Sequence, residues 1–530
     1  MLADRGQYLS IPKEKDTVII RPEPSKWLPF LTENRLIAKD IPDRLKSCRE
    51  LLGIARDYTR TTMDWTGTSD ISQNIIATGH QATWHHCGIW TKNLATCRFA
   101  GAVGGNSLHI VLDHDICDTA LVLPKRSPDG DWYAERFEIE SEQESVPLEF
   151  RRPPQGDRIK AFVGAVTRAR PGQFCNDIWP ECVARSVDKI PYFHSIADLI
   201  THFQSILNFA LGINMIYLPV SKLSESDAFI DFAISTMLDA PRFATTYNKT
   251  VTEQLSASGI NRRDTVPCLR LDRTKGRIML PFWLQSPNGK RTSLCVALKE
   301  SNRIGIGSAT NVFDELDSSC RIGKADQLRN MLRHCGYRLR PKAVSLTAFV
   351  QLYLADWFVH GIGGSLYEPV TDYVIENYFG IRPLKYGVAT CTQTLPPLDS
   401  VASFNENISQ LIHKLHNIKH NQERYIDESV RKEEPVVSLL RAKKEKITQA
   451  KNRSAPTSLR KSAWNSLLQI NHRLSEYTEN IVRTIERKIA EFEKNRVSHK
   501  VCNCREYFFG LFPVNKLRQL TKSLTFKELE

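Results

Sequence analysis

Apolar residues recur along this chain with two different periods. Near the amino end, Pro42 to Tyr58 places Leu45, Leu51, Leu52 and Ile54 on one face of a helix. Asn74-Ile75-Ile76-Ala77-Thr78 is a short continuous apolar run and predicts a buried strand. A helix is expected from about Gly88 to Ala100, and a second strand at His109-Ile110-Val111-Leu112. The two strands lie about thirty residues apart, the size of one βαβ unit. That unit predicts parallel strands in an α/β sheet covered on both faces. Arg126 to Asp188, rich in charge, Pro and Gly, is expected to be an insertion of short strands and loops. Phe193 to Leu211 then reads as a helix and Met215-Ile216-Tyr217-Leu218-Pro219 as a core strand. Asp227 to Leu255 reads as a helix with a kink at Pro241. Residues 265–310 return to strand-like alternation, and Leu346 to Phe379 to a helical pattern broken by Gly361-Ile362-Gly363-Gly364.

After Pro396-Pro397 the pattern changes. Phe404, Ile408, Leu411, Leu415 and Ile418 follow a heptad seam. Beyond a polar turn at Ala455-Pro456, a second stripe runs through Trp464, Leu467, Leu474, Tyr477, Ile481, Ile485, Ile489 and Phe492. The expectation is a coiled-coil hairpin of two long helices whose seam pairs with a second copy of the chain. The expected domains are therefore a core (1–125), an insertion (126–190), the rest of the core (191–398), the hairpin (399–500) and a C-terminal segment (501–530).

Composition narrows the class. The 530 residues are 41% hydrophobic and 25% charged, ordinary for a globular protein. The first residues, Met1 to Gly6, carry no apolar run, so no secretory signal is expected. The most apolar long window, Phe203 to Val220, contains Gln204, Ser205, Asn208 and Asn214, which argues against a membrane span. Thirteen scattered cysteines suit reduced thiols and a cytoplasmic location. The formal net charge of +13 favours anionic partners: nucleotides, nucleic acid or acidic metabolites. Much of it falls in residues 401–500, where 20 Lys and Arg face 12 Asp and Glu. A solvated basic surface explains the same charge equally well.

Three motifs carry candidate chemistry. Thr78-Gly79-His80-Gln81 ends a strand, and His85-His86-Cys87-Gly88 opens the next helix. Ligands of open α/β sheets gather at such strand ends, and a helix N-terminus there favours phosphate. A turn holding buried, satisfied histidines is the competing explanation. Neither a P-loop nor a Gly-x-Gly-x-x-Gly fingerprint is present after this strand. Asp113-His114-Asp115 ends the following strand, where an acid can accept ribose hydroxyls, or simply cap a turn. Gly361, Gly363 and Gly364 suit a ligand loop, or a plain helix–helix turn. Cys502, Cys504 and His499 fall short of a zinc site, so no metal is expected there, whereas His114 between two carboxylates could act as an acid or bind one.

Taken together, these stretches resemble the cysteine-adding enzyme family of bacillithiol biosynthesis. The matching pieces are Ala77-Thr78-Gly79-His80-Gln81, Gly88-Ile89-Trp90-Thr91-Lys92, Leu112-Asp113-His114-Asp115, Leu339-Arg340-Pro341, Leu354 to Phe358 in the place of a family helix, Gly361 to Ser365, and Gly510-Leu511-Phe512-Pro513 after the hairpin. The resemblance implies a Rossmann-like core, a coiled-coil homodimer and ATP or ADP as cofactor. It also implies an ATP-dependent ligase joining an amino acid, cysteine, to a sugar amine. Thr78, Gly79, Gln81, His86, Gly88, Asp115, Gly361, Gly363 and Gly364 are expected around the nucleotide, and His80, Asp113 and His114 at the chemistry. His80 departs from the Gln usual in the family, and His85-His86 adds imidazoles. The alternative is a basic nucleic-acid-binding or coiled-coil interaction protein without catalysis, for which no clear RNA-binding motif is visible.

Overall fold

The computed structural model describes residues 11–12, 14–63, 73–140, 145–169, 178–258, 266–272, 276–299, 303–317, 324–395, 408–452, 454–524 and 526. The chain divides into two compact units: residues 1–123, 135–396 and 504–530 form the first, and 124–134 with 397–503 the second.

In chain order the first unit begins with β1 (Thr17–Arg21), α1 (Trp27–Lys39), α2 (Arg44–Thr62), β2 (Ile75–Gln81), α3 (Cys87–Ala102) and β3 (Asn106–Leu112). A hairpin of β4 (Leu121–Arg126) and β5 (Trp132–Phe137) follows, whose residues 124–134 belong to the second unit, then α4 (Gly156–Ala169), α5 (Trp179–Lys189), α6 (Ile196–Ala210), β6 (Ile216–Pro219), α7 (Val220–Leu223), α8 (Asp227–Leu238) and α9 (Ala240–Ser258). Next come β7 (Leu271–Asp272), β8 (Arg277–Gln285), β9 (Arg291–Leu298), β10 (Arg303–Gly307), β11 (Val312–Asp317), α10 (Lys324–His334), β12 (Arg338–Pro341) and α11 (Ala343–Tyr353). β13 (Trp357–His360), α12 (Ile362–Ser365), α13 (Glu368–Val374) and β14 (Gly387–Thr392) close the core.

The fold is mixed α/β. The main sheet runs in the order β1-β14-β13-β2-β3-β6. β14, β13, β2, β3 and β6 pair in parallel, and β1 is an antiparallel edge. Ile75, Ile76, Ala77 and Thr78 are all buried, as a strand covered on both faces requires. α3 buries residues almost all round, among them Trp90, Leu94, Ala95 and Phe99. The second sheet is antiparallel, ordered β11-β10-β9-β8-β12, with β7 beside β8. One hydrophobic core joins the two sheets through residues such as Phe229, Phe232, Phe282 and Phe349.

Several expectations change. Residues 126–190, expected as strands and loops, contain α4 and α5; their buried stripes, Ile159-Phe162-Val163-Val166 and Trp179-Cys182-Ser186, have helical spacing that a charge-rich composition hides. The long helix expected over 227–255 is two helices parted at Asp239, and Pro241 sits in the first turn of the second, where its missing N–H costs nothing. The stretch Leu354 to Phe358 is no helix. α11 ends at Tyr353, and Trp357 to His360 form a central parallel strand. Four apolar residues following an apolar helix carry no periodicity of their own.

The second unit contains α14 (Ile408–His420), α15 (Glu428–Arg431), α16 (Glu434–Lys451), α17 (Thr457–Ser475) and α18 (Glu479–Cys502); the short α19 (Val514–Ser523) returns to the first unit. The two expected long helices are each interrupted, the first between His420 and Glu434 and the second at Glu476–Thr478. α14 packs on α18 and α16 on α17. Leu411, Ile418 and Ile485 are buried together, with Leu415, Ile481 and Ile489 against them. The seam residues Leu411, Leu415 and Ile418 thus pack against α18 of the same chain. Phe404 lies outside the described residues. Among the described residues, no helix is long and apolar enough to cross a membrane.

Candidate functional site at the carboxyl ends of the parallel strands

Strand order locates the site. From β2 the chain moves to β3 and then β6 on one side, whereas β13 and β14 lie on the other. The direction of winding therefore reverses between β2 and β13, and ligands of open parallel sheets bind at such a reversal, beyond the carboxyl ends. Gly79-His80-Gln81 ends β2, and His360-Gly361 ends β13. Two glycine motifs far apart in sequence thus meet at one place. The pair is tied by Thr78 Oγ1, which donates to Val359 O at 2.7 Å. Thr78 is buried and serves this tie rather than a ligand.

The glycines differ in what they permit. A Cβ on Gly79 would stand 2.9 Å from Ile110 O, so Gly79 lets β3 approach closely; it does not open onto a ligand space. Gly361 lies over Lys92, whose Cδ would be 3.4 Å from an added Cβ. At Gly364 a Cβ would crowd His360 Nδ1 at 3.0 Å. Gly363 is exposed, and nothing stands within 4 Å of a Cβ added there.

Beneath these loops lies a nest of basic side chains. Lys92 on α3 is 4% exposed and donates to Gly79 O at 2.7 Å. Burial pushes its amine down to about 7. His85 Nε2 sits 2.9 Å from Gln81 O, and its ring lies 5.1 Å from that of His80 and 5.7 Å from that of His109. His109 Nδ1 is 2.9 Å from Asn93 Oδ1. Burial holds His80 and His109 well below the ordinary imidazole range and His85 at about 4, so all three are neutral at pH 7.

His86 and Gly88 do not form the expected phosphate cradle. His86 caps α3 with its own ring, Nδ1 accepting from Gly88 N–H at 3.0 Å. Gly88 is buried under Arg505 and 2.9 Å, measured from an added Cβ, from Cys391 O. Protein atoms fill this helix end. Asp115 is placed as a polar rim: Oδ2 accepts from Gln81 Nε2 at 3.2 Å and Oδ1 from Arg291 at 2.9 Å. His360 Nε2 lies 2.6 Å from Glu368 Oε1, both buried.

Asp113 faces a different space. A cavity of about 780 Å³ opens at the ends of β3 and β6, lined in part by Asp113, Tyr58, Asp198, Ser221, Glu149 and Arg340. Asp113 Oδ1 accepts from Ser221 N–H at 2.9 Å, and Ser221 Oγ donates to Oδ2. Burial, reinforced by the nearby Glu149, pushes the Asp113 carboxyl up to about 7. Glu149 itself is held low by Arg340, 2.7 Å away, against its own burial. Tyr58 donates to Asp198 Oδ1 at 2.6 Å. His114 is buried, its imidazole pushed down to about 4, and its carbonyl accepts from Gln285 Nε2 at 2.9 Å. It is a packed neighbour of the cavity, and the cavity lining does not include it.

Sequence reading missed Lys92, His360, Glu368, Glu149 and Arg340 as site residues. Lys92 and Arg340 stood inside quoted motifs, and their burial was the missing signal. Among the described residues no group of His, Cys, Asp and Glu side chains could hold a metal ion. No family model matches the chain, and no curated protein matches it.

Proposed function

We propose that this chain is an ATP-dependent ligase with a Rossmann-like core, which binds its nucleotide at the reversal between β2 and β13 and joins an amino acid to an amine acceptor. The observation that carries the reading is the meeting of the Gly79-His80-Gln81 and Gly361–Gly364 segments on adjacent parallel strands. Gly363 supports it further, because the fold has no steric need of a glycine there. The cavity beside Asp113 suits the amine acceptor. An amine must lose a proton before or as it attacks an activated carboxyl, and a carboxyl poised near pH 7 can take it. Arg340 and Arg338 at the cavity suit an anionic acceptor. Cysteine as the amino acid, and a sugar amine as acceptor, follow from the sequence resemblance alone.

Calorimetric titration of ATP, with ADP and adenosine as comparisons, tests the reading. Micromolar binding is expected for ATP. Gly363→Val should weaken it more than tenfold, about 1.4 kcal/mol or more, with the melting temperature unchanged. Absence of ATP binding to the folded chain at millimolar concentration would sink the proposal.

A further inference from the structure

Lys92 is an amine with almost no contact with solvent and, among the described residues, one hydrogen-bond acceptor, the Gly79 carbonyl. An ammonium has three N–H donors, and burying it without a counter-charge is costly. The groups around it supply no such charge. His80 approaches from β2, His85 and His86 from the turn, and His109 from β3, and each is pushed further from protonation by Lys92 or by another of these groups. His360, at the end of β13, is already paired with the buried carboxylate of Glu368. Among the described residues Lys92 forms no ion pair. The roof over Lys92 is a glycine, Gly361.

We propose that the ligand of this site presents an anionic oxygen group, phosphate or carboxylate, to Lys92, and that Lys92 takes up a proton as the anion binds. The neutral amine is the low-cost state without a counter-charge, and an anion at hydrogen-bond distance would supply one. The inference deepens the nucleotide reading and rests on it for the identity of the ligand alone.

Titration of the full chain with ATP, pyrophosphate and succinate, each in two buffers of different ionisation heat, measures the protons taken up. At pH 8, where Lys92 is mostly neutral, uptake of about one proton per bound anion is expected. Affinity should fall about tenfold per pH unit above 7. Lys92→Met should abolish the uptake and weaken anion binding at least tenfold, while adenosine binding is unaffected. If that variant does not fold, the proton count and pH slope of the unaltered chain decide the matter. ATP bound without proton uptake would overturn the role of Lys92 and leave the nucleotide reading standing. Pyrophosphate or succinate bound with uptake, but no ATP, would do the reverse. Failure of every anion to bind would overturn both.

Discussion

Asp113 and Lys92 are both buried where their charged forms are disfavoured, and they respond to pH in opposite senses. The Asp113 carboxyl is raised from an ordinary 3.8 to about 7. The folded chain therefore holds this proton more tightly than the unfolded one, and the associated stability is complete at acid pH and lost as pH rises through 7. Asp113→Asn keeps both Ser221 contacts and removes the charge. It should change the melting temperature least below pH 4, where the carboxyl is protonated in both states, and raise it at pH 8. Equal melting curves at pH 8 would contradict the assignment. Lys92 is lowered from 10.5 to about 7, so its burial destabilises most below pH 7, and the penalty fades as pH rises towards 10.5. Lys92→Met should therefore stabilise more at pH 6 than at pH 9, since the lost bond to Gly79 costs the same at both. At Gly79, valine would meet the β3 backbone. The expected result is loss of stability on the order of a few kcal/mol, rather than selective loss of ligand binding, and thermal denaturation separates the two.

At the level of elements, legibility followed period and length. β2, α3 and β3 were readable because a continuous apolar run, a helix and a second run succeed one another within about thirty residues. β13 was not readable, since Trp357 to His360 extend the apolar character of α11 with only Asp356 to mark a break between them. That one omission misplaced the Gly361–Gly364 motif between two helices, when it follows a strand and so stands at a ligand position. The heptad seam is apolar, and its residues Leu411, Leu415 and Ile418 pack against α18 of the same chain; a stripe on α14 says nothing in sequence about which helix covers it. Leu411→Asp with Leu415→Asp should unpack α14 from α18 within one chain, at a cost on the order of a few kcal/mol. Circular dichroism should show a lowered melting transition, with nucleotide binding kept. Unchanged melting together with dissociation of a dimer, seen by light scattering, would restore the intermolecular pairing.

At the scale of the whole molecule, the site is assembled from distant sequence. Thr78 and Val359 bond across 281 positions, a juxtaposition that no local pattern encodes. The second antiparallel sheet lies between them in sequence, so the reversal of strand order became visible only in three dimensions. The +13 charge, by contrast, was visible at once and decided little. A surface charge attracts any polyanion and predicts salt-sensitive, unspecific binding, whereas a buried amine under a glycine loop selects a small anion. Hydrogen–deuterium exchange with and without saturating ATP tests this placement most directly. Slowed exchange is expected in the segments Gly79 to Thr83 and Gly361 to Tyr367, and in neither arm of the helical unit. Protection confined to residues 408–502, or its absence at both strand ends while ATP is bound, would contradict a nucleotide site at the reversal between β2 and β13.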